Sequence, residues 1–128
     1  METIKGYTDL EQSKKLAEIL PIESADMYYP NRIDIKYQGA LPIEYKHGNP
    51  LLSQEIAAWS LAALRNLLPV GIKVNENTYL FESHNTFDKS WVYRYYNEDD
   101  TSYLYYKNTS EIDACVAMIE KLNKLKML

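Results

Sequence analysis

The strand-like run Trp91-Val92-Tyr93-Arg94-Tyr95-Tyr96, the turn residues Asn97-Glu98-Asp99-Asp100 and the run Tyr103-Leu104-Tyr105-Tyr106 decide the fold. Valine and aromatic rings suit a pleated, half-buried surface, and a cluster of Asn, Asp and Glu between two such runs is the pattern of a hairpin. Upstream, Val70, Ile72 and Val74 alternate, Asn75-Glu76-Asn77 marks another turn, and Tyr79 to Glu82 reads as a further strand. Residues 70 to 107 are therefore expected to form an antiparallel meander of about four strands.

Helices are expected on either side of it. After the meander, Asn108 or Ser110 starts a helix whose inner face is Ile112, Cys115, Ile119 and Leu122, with acids early and lysines late to suit the helix dipole. Before it, Ser53 is expected to cap a helix running through Ile56, Trp59, Ala63, Leu64 and Leu67 and stopping before Pro69. Near the start, Thr8 and Glu11 have the spacing of a capping box, and Pro21 ends that helix. Residues 21 to 50 hold four of the five prolines, which excludes a long helix there. Alternation marks strands at Arg32 to Tyr37 and Leu41 to Lys46, the second at a sheet edge because Pro42 cannot donate to a ladder. Tyr28 and Tyr29, before Pro30, are expected in a loop. The order is helix, two strands, helix, about four strands, helix. The pattern predicts a single α+β domain over residues 1 to 128, with three helices on one face of a mostly antiparallel sheet of five to six strands.

The chain has 128 residues, enough for one domain, with 14 Lys and Arg against 18 Asp and Glu. A net charge of -4 opposes generic nucleic-acid binding, which relies on basic groups releasing counterions. A mean hydropathy of -0.43 and the lack of a long apolar run oppose a membrane span. With Cys115 the single cysteine and no basic-then-apolar leader at Met1 to Gly6, the cytosol is the expected compartment.

Catalytic constellations are sparse. His47, His84 and Cys115 are too few for a zinc site, and the four scattered glycines form no phosphate-cradling loop. Cys115 reads as a core residue, and Glu98-Asp99-Asp100 as a solvated hairpin tip without the spacing of a calcium loop. A grouping of His84, Asp88 and Glu82 is what an unfamiliar enzyme would have to use. The chain is expected not to be an enzyme and to need no metal or cofactor.

Tyrosine stands out, with 12 copies. If the two late strands pair, Trp91, Tyr93 and Tyr95 share one face and Tyr103 and Tyr105 lie across from them. Those rings either pack beneath helices or form an open surface of the residue type that dominates binding hot spots. In the second case Arg94 and Lys107 hold an anionic group of a ligand, and Tyr28 and Tyr29 form a second aromatic cluster. The expected function is a protein-binding module; the alternative is a sponge or sensor for a nucleotide-like or sugar-like molecule. An exposed edge strand near Pro42, or an open tyrosine face, is also expected to be able to pair two copies into a symmetric dimer.

Three segments resemble a known family: Leu10-Glu11-Gln12-Ser13-Lys14-Lys15-Leu16-Ala17-Glu18-Ile19-Leu20-Pro21 continuing to Glu23-Ser24-Ala25-Asp26-Met27; Ala58-Trp59-Ser60-Leu61-Ala62-Ala63-Leu64 ending at Leu67-Leu68-Pro69; and Asp113-Ala114-Cys115-Val116-Ala117-Met118-Ile119-Glu120-Lys121-Leu122. They are similar, in order and spacing, to small uncharacterised proteins carried by bacteriophages and mobile elements of gut Bacteroidales. The resemblance covers roughly a third of the chain. It implies a phage or prophage origin, an intracellular setting and a host or phage protein as partner. It implies no activity, cofactor or catalytic residue.

Overall fold

The computed structural model describes residues 6–30, 43–44 and 55–128, the backbone alone for 43–44. The chain is α+β. Its elements are α1 (Leu10–Ala17), a single 3-10 turn (Ile22–Ser24), β1 (Met27–Tyr29), β2 (Ile43–Glu44), β3 (Ile56–Ala58), α2 (Leu61–Leu67), β4 (Gly71–Val74), β5 (Asn77–Asn85), β6 (Trp91–Tyr96), β7 (Ser102–Asn108) and α3 (Glu111–Lys124). The strands form two antiparallel sheets rather than the one expected, in the orders β2-β1-β3 and β4-β5-β6-β7. The chain divides into two compact units, Gly6–Ala63 and Leu64–Leu128, with the boundary inside α2.

The second unit follows the sequence closely. Asn75 and Glu76, both at positive φ, make the two-residue turn joining β4 to β5. Asp100, also left-handed, closes the β6–β7 turn, where its N–H donates to the Asn97 carbonyl over 2.9 Å. Ser110 caps α3 by accepting from the Asp113 N–H. The apolar stripe Ile112, Cys115, Ile119 and Leu122 is wholly buried, and α3 packs on β6 and β7.

Three expectations change in the first unit. Asp9, not Thr8, caps α1, and Gln12 rather than Glu11 completes the box: Asp9 Oδ1 accepts from Gln12 N over 2.7 Å while Gln12 Oε1 accepts from Asp9 N over 3.1 Å. Thr8 is unavailable because its hydroxyl is buried against Ser13 Oγ at 2.7 Å and accepts from the Trp59 N–H at 3.1 Å. The expected helix from Ser53 is also corrected, since Ile56–Ala58 is a strand and α2 starts only at Leu61. An Ile-Ala-Ala run is compatible with either state, and pairing of β3 with β1 decides it. That same pairing makes Met27–Tyr29 a strand instead of a loop. The strand at Arg32 to Tyr37 lies outside the described residues; of Leu41 to Lys46, Ile43–Glu44 forms β2, at one edge of its sheet.

Among the described residues no helix is long and apolar enough to cross a membrane.

Candidate functional site

Register sorts the aromatic residues of the meander by face. Residues directly opposite one another share a face, so Phe81, Tyr95 and Leu104 form one row and Ser83, Tyr93 and Tyr106 the next, on the face that α3 covers. Tyr93 and Tyr95 are 0% exposed, and Phe81 packs against both with ring centroids 5.4 Å away. Each hydroxyl finds a partner, as buried tyrosines require. Tyr95 donates to the Pro69 carbonyl over 2.7 Å; Tyr93 donates to Glu111 Oε2 over 2.6 Å and accepts from Arg65 Nη1 over 2.8 Å. Arg65 also meets the same Glu111 oxygen at 2.7 Å, closing a triangle of arginine, phenol and carboxylate. Burial pushes both phenols well above their usual range, and for Tyr93 the bond to Glu111 adds to the effect. Burial likewise pushes the Cys115 thiol up to about 12, so it is a neutral core group.

Tyr93 and Tyr95 are therefore corrected as surface candidates: period-two alternation turns them under α3. Trp91, at the end of the same face beside Asn108, is half-buried. The expected sharing of a face by Tyr105 fails as well. Tyr105 lies opposite Arg94, on the outer face, because the β6–β7 register shifts between Tyr95 and Tyr96. Tyr103 falls at that irregularity without a ladder partner, and its ring sits 5.2 Å from that of Tyr79.

The outer face carries Leu80, Glu82 and His84 on β5, Val92, Arg94 and Tyr96 on β6, and Tyr105 and Lys107 on β7. Leu80 is 49% and Tyr105 53% exposed, while Val92 is buried. Arg94 is clamped: its Nε meets Glu82 at 2.5 Å, its Nη2 meets Asp100 at 2.7 Å, and its guanidinium lies 4.6 Å from the Tyr96 ring centroid. Lys107 is tied to Asp88 at 3.1 Å. The two cations expected to hold an anionic ligand group thus already have counterions. His84 approaches Glu82 at 3.8 Å, but Asp88 is engaged by Thr86, Ser90 and Lys107, so the supposed His84, Asp88 and Glu82 grouping is not assembled. At the other end of this face, Leu80 and Tyr96 line a recess of about 550 Å³ with Glu76, Glu98 and Asp99 on its rim.

Sequence reasoning overlooked Phe87. It stands fully in solvent at the tip between β5 and β6, on a loop built to hold one shape. Thr86 N donates to the Ser90 carbonyl over 2.8 Å, Lys89 at positive φ donates back to Thr86 over 3.0 Å, and Ser90 N donates to the Thr86 hydroxyl over 3.0 Å. The Thr86 hydroxyl, Lys107 and the Ser90 N–H hold the Asp88 carboxyl well below the usual carboxylate range. The signal available in the sequence was one large apolar residue inside an otherwise polar turn.

In the first unit, Tyr28 is half-buried and Tyr29 is 2% exposed, its hydroxyl donating to the Thr8 carbonyl over 2.8 Å, so Tyr29 is corrected from surface to core. Ser24 and Asp26, polar residues of the first resembling segment, have structural partners. Ser24 Oγ accepts from Trp59 Nε1 over 2.9 Å, and Asp26 accepts from the N–H and hydroxyl of Ser60 at 2.8 and 2.5 Å. Ser60 in turn accepts from Ala63 N at 3.2 Å, which makes it the cap of α2. His47 lies outside the described residues. Among the described residues no group of three or more His, Cys, Asp and Glu could hold a metal ion.

Compared with protein-family models, curated proteins and solved structures, the chain matches none.

Proposed function

We propose that this chain is a non-enzymatic binding module that holds a protein partner on the outer face of its four-stranded sheet, with Phe87 at the rim as a second anchor. The observation that carries the reading is the exposure of Leu80, Tyr105 and Phe87 while α3 occupies the opposite face. Large exposed aromatic and aliphatic groups on a rigid support are what hot spots are made of, because little conformational freedom is lost on contact. The clamped Arg94 and the braced Phe87 loop give that support. The resemblance to phage and mobile-element proteins points to a bacterial host or phage protein in the cytosol as the partner.

The test is capture from a gut Bacteroidales lysate by the immobilised chain. A protein should be enriched over a blank matrix, lost on Tyr105→Ala or Phe87→Ala, and kept on Glu120→Ala, a change on the exposed side of α3. No enrichment, or a partner indifferent to both substitutions, contradicts the reading.

The recess beside Leu80 and Tyr96 favours a second reading, a small-ligand sponge or sensor. Its carboxylates oppose a phosphate-bearing ligand by like charge, so a neutral sugar-like ring is the form that suits it. A thermal-shift screen that includes neutral sugars tests it, since a ligand of the folded state raises the melting temperature with its concentration.

A further inference from the structure

Among the described residues no strand pairs with β7 on its outer side, and the direction of its main-chain groups can be worked out. Thr86 N donates to the Ser90 carbonyl, so that pair is a hydrogen-bonded one, and bonded and non-bonded pairs alternate along an antiparallel ladder. Counting inward along the register, Asn85 and Trp91 are non-bonded, His84 and Val92 bonded, Ser83 and Tyr93 non-bonded, Glu82 and Arg94 bonded. Val92 and Arg94 therefore use their N–H and C=O groups on β5, while Trp91, Tyr93 and Tyr95 turn theirs toward Asn108, Tyr106 and Leu104 of β7. Tyr105 and Lys107, opposite Arg94 and Val92, direct theirs away from the sheet. Among the described residues no second strand lies there to take them up.

Natural sheets guard such edges by keeping them short or by placing a lysine on them. The other edge, β4, is four residues long, whereas β7 has seven. The one lysine on β7, Lys107, has its charge balanced by Asp88 at 3.1 Å, so the usual repulsive guard is disarmed.

We propose that β7 pairs antiparallel with β7 of a second copy of this chain about a two-fold axis at Tyr106, joining two four-stranded sheets into one. That axis sets Tyr105 opposite Lys107 of the other copy, twice. Both residues point their main-chain groups outward, so the two pairs exchange about four hydrogen bonds. On the outer face each lysine lies against a tyrosine ring, a favourable cation–π contact, and no like charges are opposed. On the helix face Leu104 meets Asn108 and Tyr106 meets its own copy. An axis one residue earlier would bring in Tyr103, which the register irregularity removes from the ladder. The inference stands apart from the proposed function, because it needs no other protein.

Sedimentation velocity of the full chain alone, from low micromolar to several hundred micromolar, tests it. A reversible monomer–dimer equilibrium is expected. Tyr105→Pro should abolish the dimer with the far-UV spectrum unchanged, since its N–H is unused in the monomer and an edge tolerates proline. Tyr105→Lys, which opposes two lysines across the axis, should raise the dissociation constant tenfold or more, and covers the case in which the proline variant fails to fold. A chain that stays monomeric throughout overturns the proposal, as does a dimer that Tyr105→Lys leaves unchanged.

Discussion

Tyr93 and Glu111 are joined across the second unit by a 2.6 Å hydrogen bond from phenol to carboxylate, with Arg65 bonded to both. The bond ties the middle of β6 to the first residue of α3 and fixes which face of the sheet the helix covers. It also explains why a tyrosine, rather than a phenylalanine, fills that core position: Glu111 and Arg65 reach the site from its half-open side and need a polar tip between them.

Tyr93→Phe keeps the ring and removes the hydroxyl, so it should lower stability by about 1.5 to 3 kcal/mol, the net value of a hydrogen bond to a charged group. Tyr93→Ala also empties part of the core and should cost about 3 to 5 kcal/mol. Urea unfolding measures both. Equal losses would show that the phenol, not the ring, carries the contribution.

Stability should fall on the alkaline side. Cys115 is raised from 9.0 to about 12, and Tyr29 from 10.0 to about 12, each first by burial, so both favour the fold in their protonated forms. Their contribution is complete below the unfolded values and is lost as pH rises from there through about 12. The urea midpoint should decline steadily above that lower bound, and Cys115 should resist alkylation in the native state at mildly alkaline pH. A midpoint that rises with pH would contradict the burial of these groups.

Asp26→Ala removes the acceptor of both the N–H and the hydroxyl of Ser60 at the start of α2. The loss expected is about 0.5 to 2 kcal/mol, as for a helix cap, with Asp26→Asn retaining part of it. Thermal unfolding of the three proteins gives the order parent, Asn, Ala.

Asp88→Asn should loosen the tip that holds Phe87. The carboxylate is held low by Thr86 first, then by Lys107 and Ser90, so the loop keeps its shape above the ordinary carboxylate pKa of 3.8 and loses it as pH falls through the depressed value. Amide exchange at Lys89 and Ser90 should accelerate in the variant at neutral pH and in the parent only in strong acid. Unchanged exchange in the variant would remove the support argued for Phe87.

Local signals made the meander, its first and last turns and α3 legible from the residues, because period-two alternation and a capped amphipathic stripe are written into neighbouring positions. The polar run Ser83-His84-Asn85 reads as a loop but extends β5, which puts the middle turn between Thr86 and Ser90. The first unit was harder for a physical reason. Ile56-Ala57-Ala58 becomes a strand through β1, some 30 residues earlier, and Thr8 is withdrawn from capping by Trp59, 51 residues later. The excess of tyrosine was visible, yet not its partition: a single irregularity between Tyr95 and Tyr96 sends Tyr105 outward and isolates Tyr103. Phe87 escaped notice because a lone aromatic in a turn has no periodicity to betray it.

Nitration of the native chain by tetranitromethane, read residue by residue by mass spectrometry, bears most directly on the division of the rings into a sealed set and an available one. Tyr105 should be modified early, with Tyr93, Tyr95 and Tyr29 untouched until the chain is unfolded. Modification of Tyr93 and Tyr95 as fast as Tyr105 would mean that α3 does not cover them, and the outer face would lose its standing as the binding surface.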